Sequence, residues 1–283
     1  MKVDAQTSLY AVFGNPVGHS LSPAMHNKAF AETGFNGVYL AFRVIDVDAA
    51  MAAVCAIGIK GGSVTIPHKI AVMNSLDEID DQARRIGAVN TVVNRDGRLW
   101  GYNSDGQGAV RALLEKTAVQ GADIAIIGAG GAARAIGFGM IDNGGRVTII
   151  NRSIQKGKEL AKDLGADFTP LAGLKHLRAE ILINTTPVGM SPQTEDLPLP
   201  PELLREDMLV MDIVYNPVQT ALLKHAKRMG CRTIDGVAMF VYQGAFQFKL
   251  WTGMEAPIET MRRAVFTALS ADADGHGWDT CLK

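Results

Sequence analysis

Ile124-Ala125-Ile126-Ile127-Gly128-Ala129-Gly130-Gly131-Ala132-Ala133 is the stretch on which the reading of this chain turns. A β-branched apolar run stops at Gly128, and a helical pattern opens within a few residues. The pattern G-x-G-x-x-A falls on Gly128, Gly130 and Ala133. Between a strand and a helix each position has a physical task. Gly128 permits the tight turn, Gly130 lets the backbone approach a pyrophosphate, and small Ala133 lets helix and strand lie close. The first turn, with Ala129, Gly131 and Ala132, offers N–H donors and the positive end of a helix dipole to phosphates. A glycine-rich turn without a ligand would share the glycines. The strand and helix on either side favour a dinucleotide.

The next strand bears on which dinucleotide. A site for NAD usually carries Asp or Glu about 20 residues after the glycines, accepting from the ribose 2′-hydroxyl. Here Ile150-Asn151-Arg152-Ser153 ends that strand, and Asn151 takes the position. A carboxylate would repel a 2′-phosphate, whereas Asn151 does not. Arg152 can grip the phosphate, Ser153 can donate to it, and Lys156 adds a charge one turn later. NADP is therefore the expected cofactor. A helix capped by Ser153 beside exposed basic residues explains the same letters, and the two readings are compatible.

Working outward, apolar β-branched runs at Asp123–Ile127, Arg146–Ile150, Glu180–Asn184 and Leu209–Asp212 alternate with helical stretches at Ala132–Asn143 and Ile154–Leu164. That alternation implies crossover connections and a parallel sheet covered on both faces. The first hundred residues form another α/β pattern. Strands are expected at Ser8–Gly14, Val38–Arg43 and Gly62–Ile66. Helices are expected at Pro23–Thr33, capped by Ser22, and at Val47–Ile57. Asp96-Gly97 turns a hairpin between Thr91–Asn94 and Leu99–Tyr102. A helix is expected at Gly106–Lys116, and two more at Val237–Thr252 and Ile258–Leu269. Asp272–Lys283 reads as a loose tail. The expected fold class is α/β with two domains. One spans 1–104 and is completed by 238–283; the other, the dinucleotide domain, spans 105–237.

Composition supports an ordinary packed protein: 283 residues, 47% hydrophobic and 20% charged, with net charge -1. Such a balance gives no reason to expect nucleic acid as a partner. No apolar run is long enough to suggest a membrane, and no signal segment opens the chain, so a cytoplasmic location is expected. Cys55, Cys231 and Cys281 are scattered, which fits a reducing compartment. No metal-ligand spacing occurs among the six histidines, so no metal is expected. A homodimer is compatible with these features, which leave the oligomeric state open.

Four polar clusters interrupt the first α/β pattern: His19-Ser20-Leu21-Ser22, Thr65-Ile66-Pro67-His68-Lys69, Ala88-Val89-Asn90-Thr91 and Asn103-Ser104-Asp105-Gly106. Each ends a short apolar run, which is where open α/β sheets place ligands. Their short donors and acceptors suit a hydroxylated carboxylic acid. Alcohol dehydrogenation needs a hydride acceptor and a group that takes the hydroxyl proton. A lysine can serve where its surroundings favour the neutral amine, with a carboxylate nearby to orient it. Taken singly, Ser22 and Asp105 read as helix caps and Lys69 as a surface lysine.

Taken in order, these motifs resemble the shikimate dehydrogenase family, which includes shikimate and quinate dehydrogenases. The opening motif Gly14-Asn15-Pro16-Val17-Gly18-His19-Ser20-Leu21-Ser22-Pro23-Ala24-Met25-His26-Asn27 carries the resemblance. So do Val64–Lys69, Gly87–Thr91, Gly101–Gly106, Gly128–Arg134, Asn151–Ser153, Asp212–Pro217, Asp235-Gly236 and Gln243–Phe246. The resemblance runs from about Tyr10 to about Leu269. It implies a substrate domain and a Rossmann domain flanking a deep cleft, and NADPH-dependent reduction of 3-dehydroshikimate to shikimate. By resemblance Lys69 and Asp105 are the catalytic pair. Ser20, Ser22, Thr65, Asn90, Asp105 and Gln243 hold the substrate, Tyr215 borders the cleft, and Gly236 lies near the nicotinamide. The chain departs from the family's usual letters at Ser63 for Asn, Ser104 for Thr, Lys156 for Arg and Phe240 for Leu. Those departures bear on substrate choice, and relatives acting on quinate or amino-substituted analogues are the alternatives, as is mixed use of NAD. A dinucleotide-binding regulatory module without catalysis is the alternative of another class; the retained Lys69 and Asp105 argue against it.

Overall fold

A computed structural model describes residues 3–273. Two compact units divide the chain: one holds the residues up to Ser104 together with those from Gly244 onward, and the other spans Asp105–Gln243.

The first unit is built on a mixed six-stranded sheet. Its elements are β1 (Ser8–Gly14), α1 (Ser22–Thr33), β2 (Gly37–Arg43), α2 (Val47–Ala56), β3 (Gly61–Val64), β4 (Glu78–Ile79), α3 (Asp81–Ile86), β5 (Thr91–Arg95) and β6 (Arg98–Tyr102). The strand order is β2-β1-β3-β5-β6-β4. β1 pairs in parallel with β2 and β3, while β5 runs antiparallel to β3 and β6. The β5–β6 hairpin turns on Asp96 and Gly97, with φ of 53° and 89°. Two consecutive positive φ values are what a two-residue hairpin turn requires. The sheet buries Ala11, Phe13, Val64 and Val92, with Val89 just before β5, in one cluster with Met51 and Val54 of α2.

One expectation fails here. Ser22 does not cap α1: the helix begins at Ser22, Leu21 is the flanking residue, and no side chain caps it. The Ser20 hydroxyl instead accepts from the Ser22 N–H at 3.3 Å. Pro23 then sits at the second helical position, where its missing N–H costs nothing.

The second unit contains α4 (Asp105–Leu114), β7 (Asp123–Ile127), α5 (Gly131–Asp142), β8 (Arg146–Asn151), α6 (Ile154–Leu164), β9 (Asp167–Pro170), β10 (Ile181–Asn184), β11 (Leu209–Asp212), α7 (Ala221–Arg228) and β12 (Arg232–Ile234). Its strands are all parallel and ordered β12-β11-β10-β7-β8-β9. The first strand in sequence thus lies centrally, and the order reverses beside it, between β7 and β10. This is the doubly wound dinucleotide-binding order, with its switch point there. Near-continuous apolar runs satisfy a sheet covered on both faces: Ile124, Ile126, Leu182, Ile183, Val210 and Met211 are all buried.

Two glycines set the spacing of α4 on α5. A Cβ on Gly106 would lie 2.4 Å from the Ala135 carbonyl, and one on Gly139 would lie 3.0 Å from the Gly106 carbonyl. The last two helices are α8 (Gly236–Thr252) and α9 (Ile258–Ala273). α9 extends beyond the expected Leu269, and of the expected loose tail residues 274–283 lie outside the described residues. No described helix is long and apolar enough to cross a membrane.

Candidate active site

The phosphate loop follows β7. Gly128 has φ of 118°, a conformation L side chains rarely adopt, and a Cβ there would sit 2.5 Å from the Thr185 Oγ1. Glycine is therefore required on two counts. Gly130 flanks the N-terminus of α5, and no side chain caps that end. A Cβ on Gly130 or Gly131 would meet nothing within 4 Å. Open space in front of unsatisfied helix N–H groups is the setting a pyrophosphate needs. Ala133 is fully buried, as close helix–strand packing demands.

At the end of β8, Asn151 donates through Nδ2 to the Ser153 carbonyl at 2.9 Å. Arg152, Ser153 and Lys156 are exposed. The Ser153 hydroxyl accepts from the Lys156 N–H at 3.4 Å, capping α6. Accepting leaves its own proton available to donate, so the cap and a phosphate contact are compatible. With no carboxylate at Asn151 and three donors beside it, the residues present fit a 2′-phosphorylated dinucleotide.

In the first unit the polar clusters, the fourth as far as Ser104, converge on one end of the sheet. β1 and β3 are parallel, so Asn15–Ser22 and Thr65–Lys69 leave from the same edge. β5 is antiparallel to β3, so Asn90 and Thr91 enter there, and β6 delivers Asn103 and Ser104 to it. Main-chain hydrogen bonds lock the convergence: Asn15 N to Ile66 O at 3.0 Å, Val64 N to Asn90 O at 2.8 Å, and Val89 N to Lys69 O at 2.8 Å. Buried His68, next to Lys69, is anchored by its Nε2 at 2.8 Å from the Val44 carbonyl. Lys69 and Thr65 are half-buried, as is Ser20. Asn90 is buried, and its Oδ1 accepts from the Ser104 N–H at 2.9 Å. Ser22 is also buried. Asp105 follows Ser104 directly, opens α4 and is buried.

Gly236 opens α8 in the second unit. A Cβ there would collide with the Ile213 and Val214 carbonyls at 2.6 and 2.5 Å, so only glycine lets the helix start against that loop. Tyr215 packs on Phe240 with ring centroids 5.0 Å apart, and burial raises its phenol above the ordinary value. Gln243 donates through Nε2 to the Phe240 carbonyl at 3.0 Å.

Sequence reasoning missed a buried cluster at the ends of β10 and β11. The Asp212 carboxylate accepts from Asn184 Nδ2 at 3.0 Å, Val214 N at 3.1 Å and the Thr220 hydroxyl at 2.7 Å. Burial pushes its pKa up to about 6, against the opposing pull of those three donors. Asn184 also accepts from the Thr186 N–H and hydroxyl at 3.1 and 2.7 Å. The cluster thus ties the loop after β10 to the loop that carries Tyr215. Polar residues closing the apolar runs Ile181–Asn184 and Leu209–Asp212 were the available signal. Among the described residues no group of His, Cys, Asp and Glu could hold a metal ion.

Three family models match the chain: the shikimate dehydrogenase substrate binding domain over residues 12–92, shikimate/quinate 5-dehydrogenase over 111–193, and the shikimate 5′-dehydrogenase C-terminal domain over 236–266. A shikimate dehydrogenase (NADP+) of Moorella thermoacetica is 46% identical over 289 residues, covering 97% of this chain and 98% of the relative. A crystal structure of a shikimate dehydrogenase in complex with NADP+ superposes with a TM-score of 0.91 at 43% identity, over 95% of this chain and 98% of the other. The Thermus thermophilus enzyme in complex with NADP(H) and shikimate gives 0.87 at 37%, over 93% and 100%. With the phosphate loop, the strand order and the converging polar clusters already in place, this chain belongs to the shikimate dehydrogenase family.

Proposed function

We propose that this chain catalyses the reversible NADP-dependent interconversion of shikimate and 3-dehydroshikimate in the cytoplasm. The first unit takes the substrate and the second takes the dinucleotide. One observation carries the reading. The main chain of Lys69 is bonded to that of Val89, which roots the lysine side chain at the sheet end shared by Ser20, Thr65 and Asn90. Gly128, Gly130 and the first turn of α5 hold the pyrophosphate, and Arg152, Ser153 and Lys156 hold the 2′-phosphate. NADP, when bound, supplies the nicotinamide that accepts or returns hydride. Lys69 takes the hydroxyl proton as the carbinol C–H bond breaks in oxidation, and returns it to the carbonyl oxygen in reduction. Asp105 is assigned the second place in the proton-transfer pair. Ser20, Ser22, Thr65 and Asn90 supply donors and acceptors to the hydroxyls and carboxylate; Gln243 and Tyr215 are assigned to the substrate as well, and Gly236 to the nicotinamide. Lys69→Ala should lower kcat about 10²- to 10⁴-fold, the usual worth of a positioned proton-transfer group, with KM for shikimate changed far less. A kcat near wild type would remove Lys69 from the chemistry.

A further inference from the structure

Five buried side chains of the first unit form one continuous hydrogen-bonded line. The Tyr39 hydroxyl donates to Ser63 Oγ at 2.7 Å, and Ser63 donates to Gln247 Oε1 at 2.9 Å. Gln247 Nε2 donates to Thr91 Oγ1 at 2.9 Å, and Thr91 donates to Asn90 Oδ1 at 2.7 Å. The direction of the line is forced at two points by main-chain groups. The Asn90 carbonyl can only accept, and it takes a bond from Gln247 Nε2 at 3.3 Å. That turns Gln247 Oε1 toward Ser63, which must donate, so Tyr39 must donate to Ser63. The Ser104 N–H can only donate, and its 2.9 Å bond fixes Asn90 Oδ1 as an acceptor. Thr91 Oγ1, receiving from Gln247, has its proton left for Asn90.

We infer that Tyr39, Ser63, Gln247 and Thr91 are positioning residues that hold the Asn90 carboxamide in one orientation. Its Nδ2, which donates to Ser104 Oγ at 3.0 Å, then presents a donor rather than an acceptor to the substrate. This rests on the proposed role of Asn90. It also accounts for Ser63, where the family's usual residue is Asn: the shorter side chain is completed by Gln247, 184 residues away in sequence. Bonds in such a chain polarise one another, and its members are buried.

Thr91→Val removes one hydroxyl without changing shape and suits a buried strand; Thr91→Ser restores the hydroxyl. KM for shikimate should rise about 3- to 10-fold in Thr91→Val, the worth of one hydrogen bond. KM for NADP should stay constant, and Thr91→Ser should return to within about 2-fold. Gln247→Glu should donate to Thr91 only while its carboxyl is protonated, so its KM for shikimate should climb with pH between 6 and 9. The titratable groups facing position 247 are His26, held down to about 3 by burial, and Tyr39, raised above its ordinary value, so Gln247→Glu is read against the same variant carrying His26→Gln. The Asn90 carboxamide, followed by NMR, should exchange its protons faster in Thr91→Val than in wild type. Unchanged shikimate KM and unchanged exchange in Thr91→Val would overturn the proposal. Wild type inactive on shikimate but with exchange altered in Thr91→Val would sink the substrate reading and leave the positioning line standing.

Discussion

Replacing Gly130 by Ala separates a glycine needed by the fold from one needed by a ligand. Gly130 has φ of -93° and ψ of -172°, extended backbone that alanine adopts without strain. The added methyl meets nothing within 4 Å. Reduced freedom of the unfolded chain should contribute about 0.4–1 kcal/mol of stability. Alanine is a poorer helix cap than glycine, which offsets a similar amount. The net change in the dinucleotide-free protein should lie within about 1 kcal/mol of zero, a Tm shift of at most about 4 °C. In the bound state the same methyl occupies the space into which a pyrophosphate must come. Overpacking of that kind costs about 1–3 kcal/mol, a Kd for NADPH weakened about 5- to 150-fold. Gly128→Ala is the contrast, since positive φ and the 2.5 Å approach to Thr185 Oγ1 should destabilise even the free protein by about 1–3 kcal/mol. Thermal unfolding without cofactor, together with fluorescence titration by NADPH, reads both effects. If Gly130→Ala binds NADPH as wild type does, the space before Gly130 is not where the pyrophosphate lies.

Two further outcomes are expected. Arg152→Ala should lower kcat/KM for NADP about 10- to 150-fold, the worth of a hydrogen bond to a charged group, and leave that for NAD nearly unchanged; equal losses would deny Arg152 a phosphate role. Asp212 bears on stability against pH. Its folded pKa of about 6 lies above the ordinary 3.8, so the folded state holds the proton more tightly and gains stability as pH falls from above 6 toward 4. Urea unfolding should show wild type gaining up to about 3 kcal/mol relative to Asp212→Asn over that window, and parallel stability curves would contradict the buried-carboxylate assignment.

Much of this was legible in sequence because the signals are local. Ile154–Leu164 carries a cap at Ser153, a helical apolar stripe and a left-handed Gly165, and the helix runs between those bounds. The parallel sheet announced itself in unbroken apolar runs. Short elements escaped: α3 at Asp81–Ile86 and β12 at Arg232–Ile234 are too brief for a period to show. Ser22 was misplaced by one residue because Ser20, two positions earlier, supplies the local hydroxyl–backbone bond. The Tyr39-to-Asn90 line and the Asp212 cluster were not legible. Each depends on links between residues far apart in sequence, such as Ser63 with Gln247 and Asn184 with Asp212, and a lone serine in Gly61–Val64 gives no hint of the glutamine that completes it.

The most direct test is an initial-rate panel on the purified protein, pairing shikimate and quinate with NADP and with NAD. The highest kcat/KM should belong to shikimate with NADP, with NAD weaker by about tenfold or more, as loss of a phosphate contact implies. Absence of NADP reduction with both acids would contradict the assignment of Lys69 and its neighbours to this reaction.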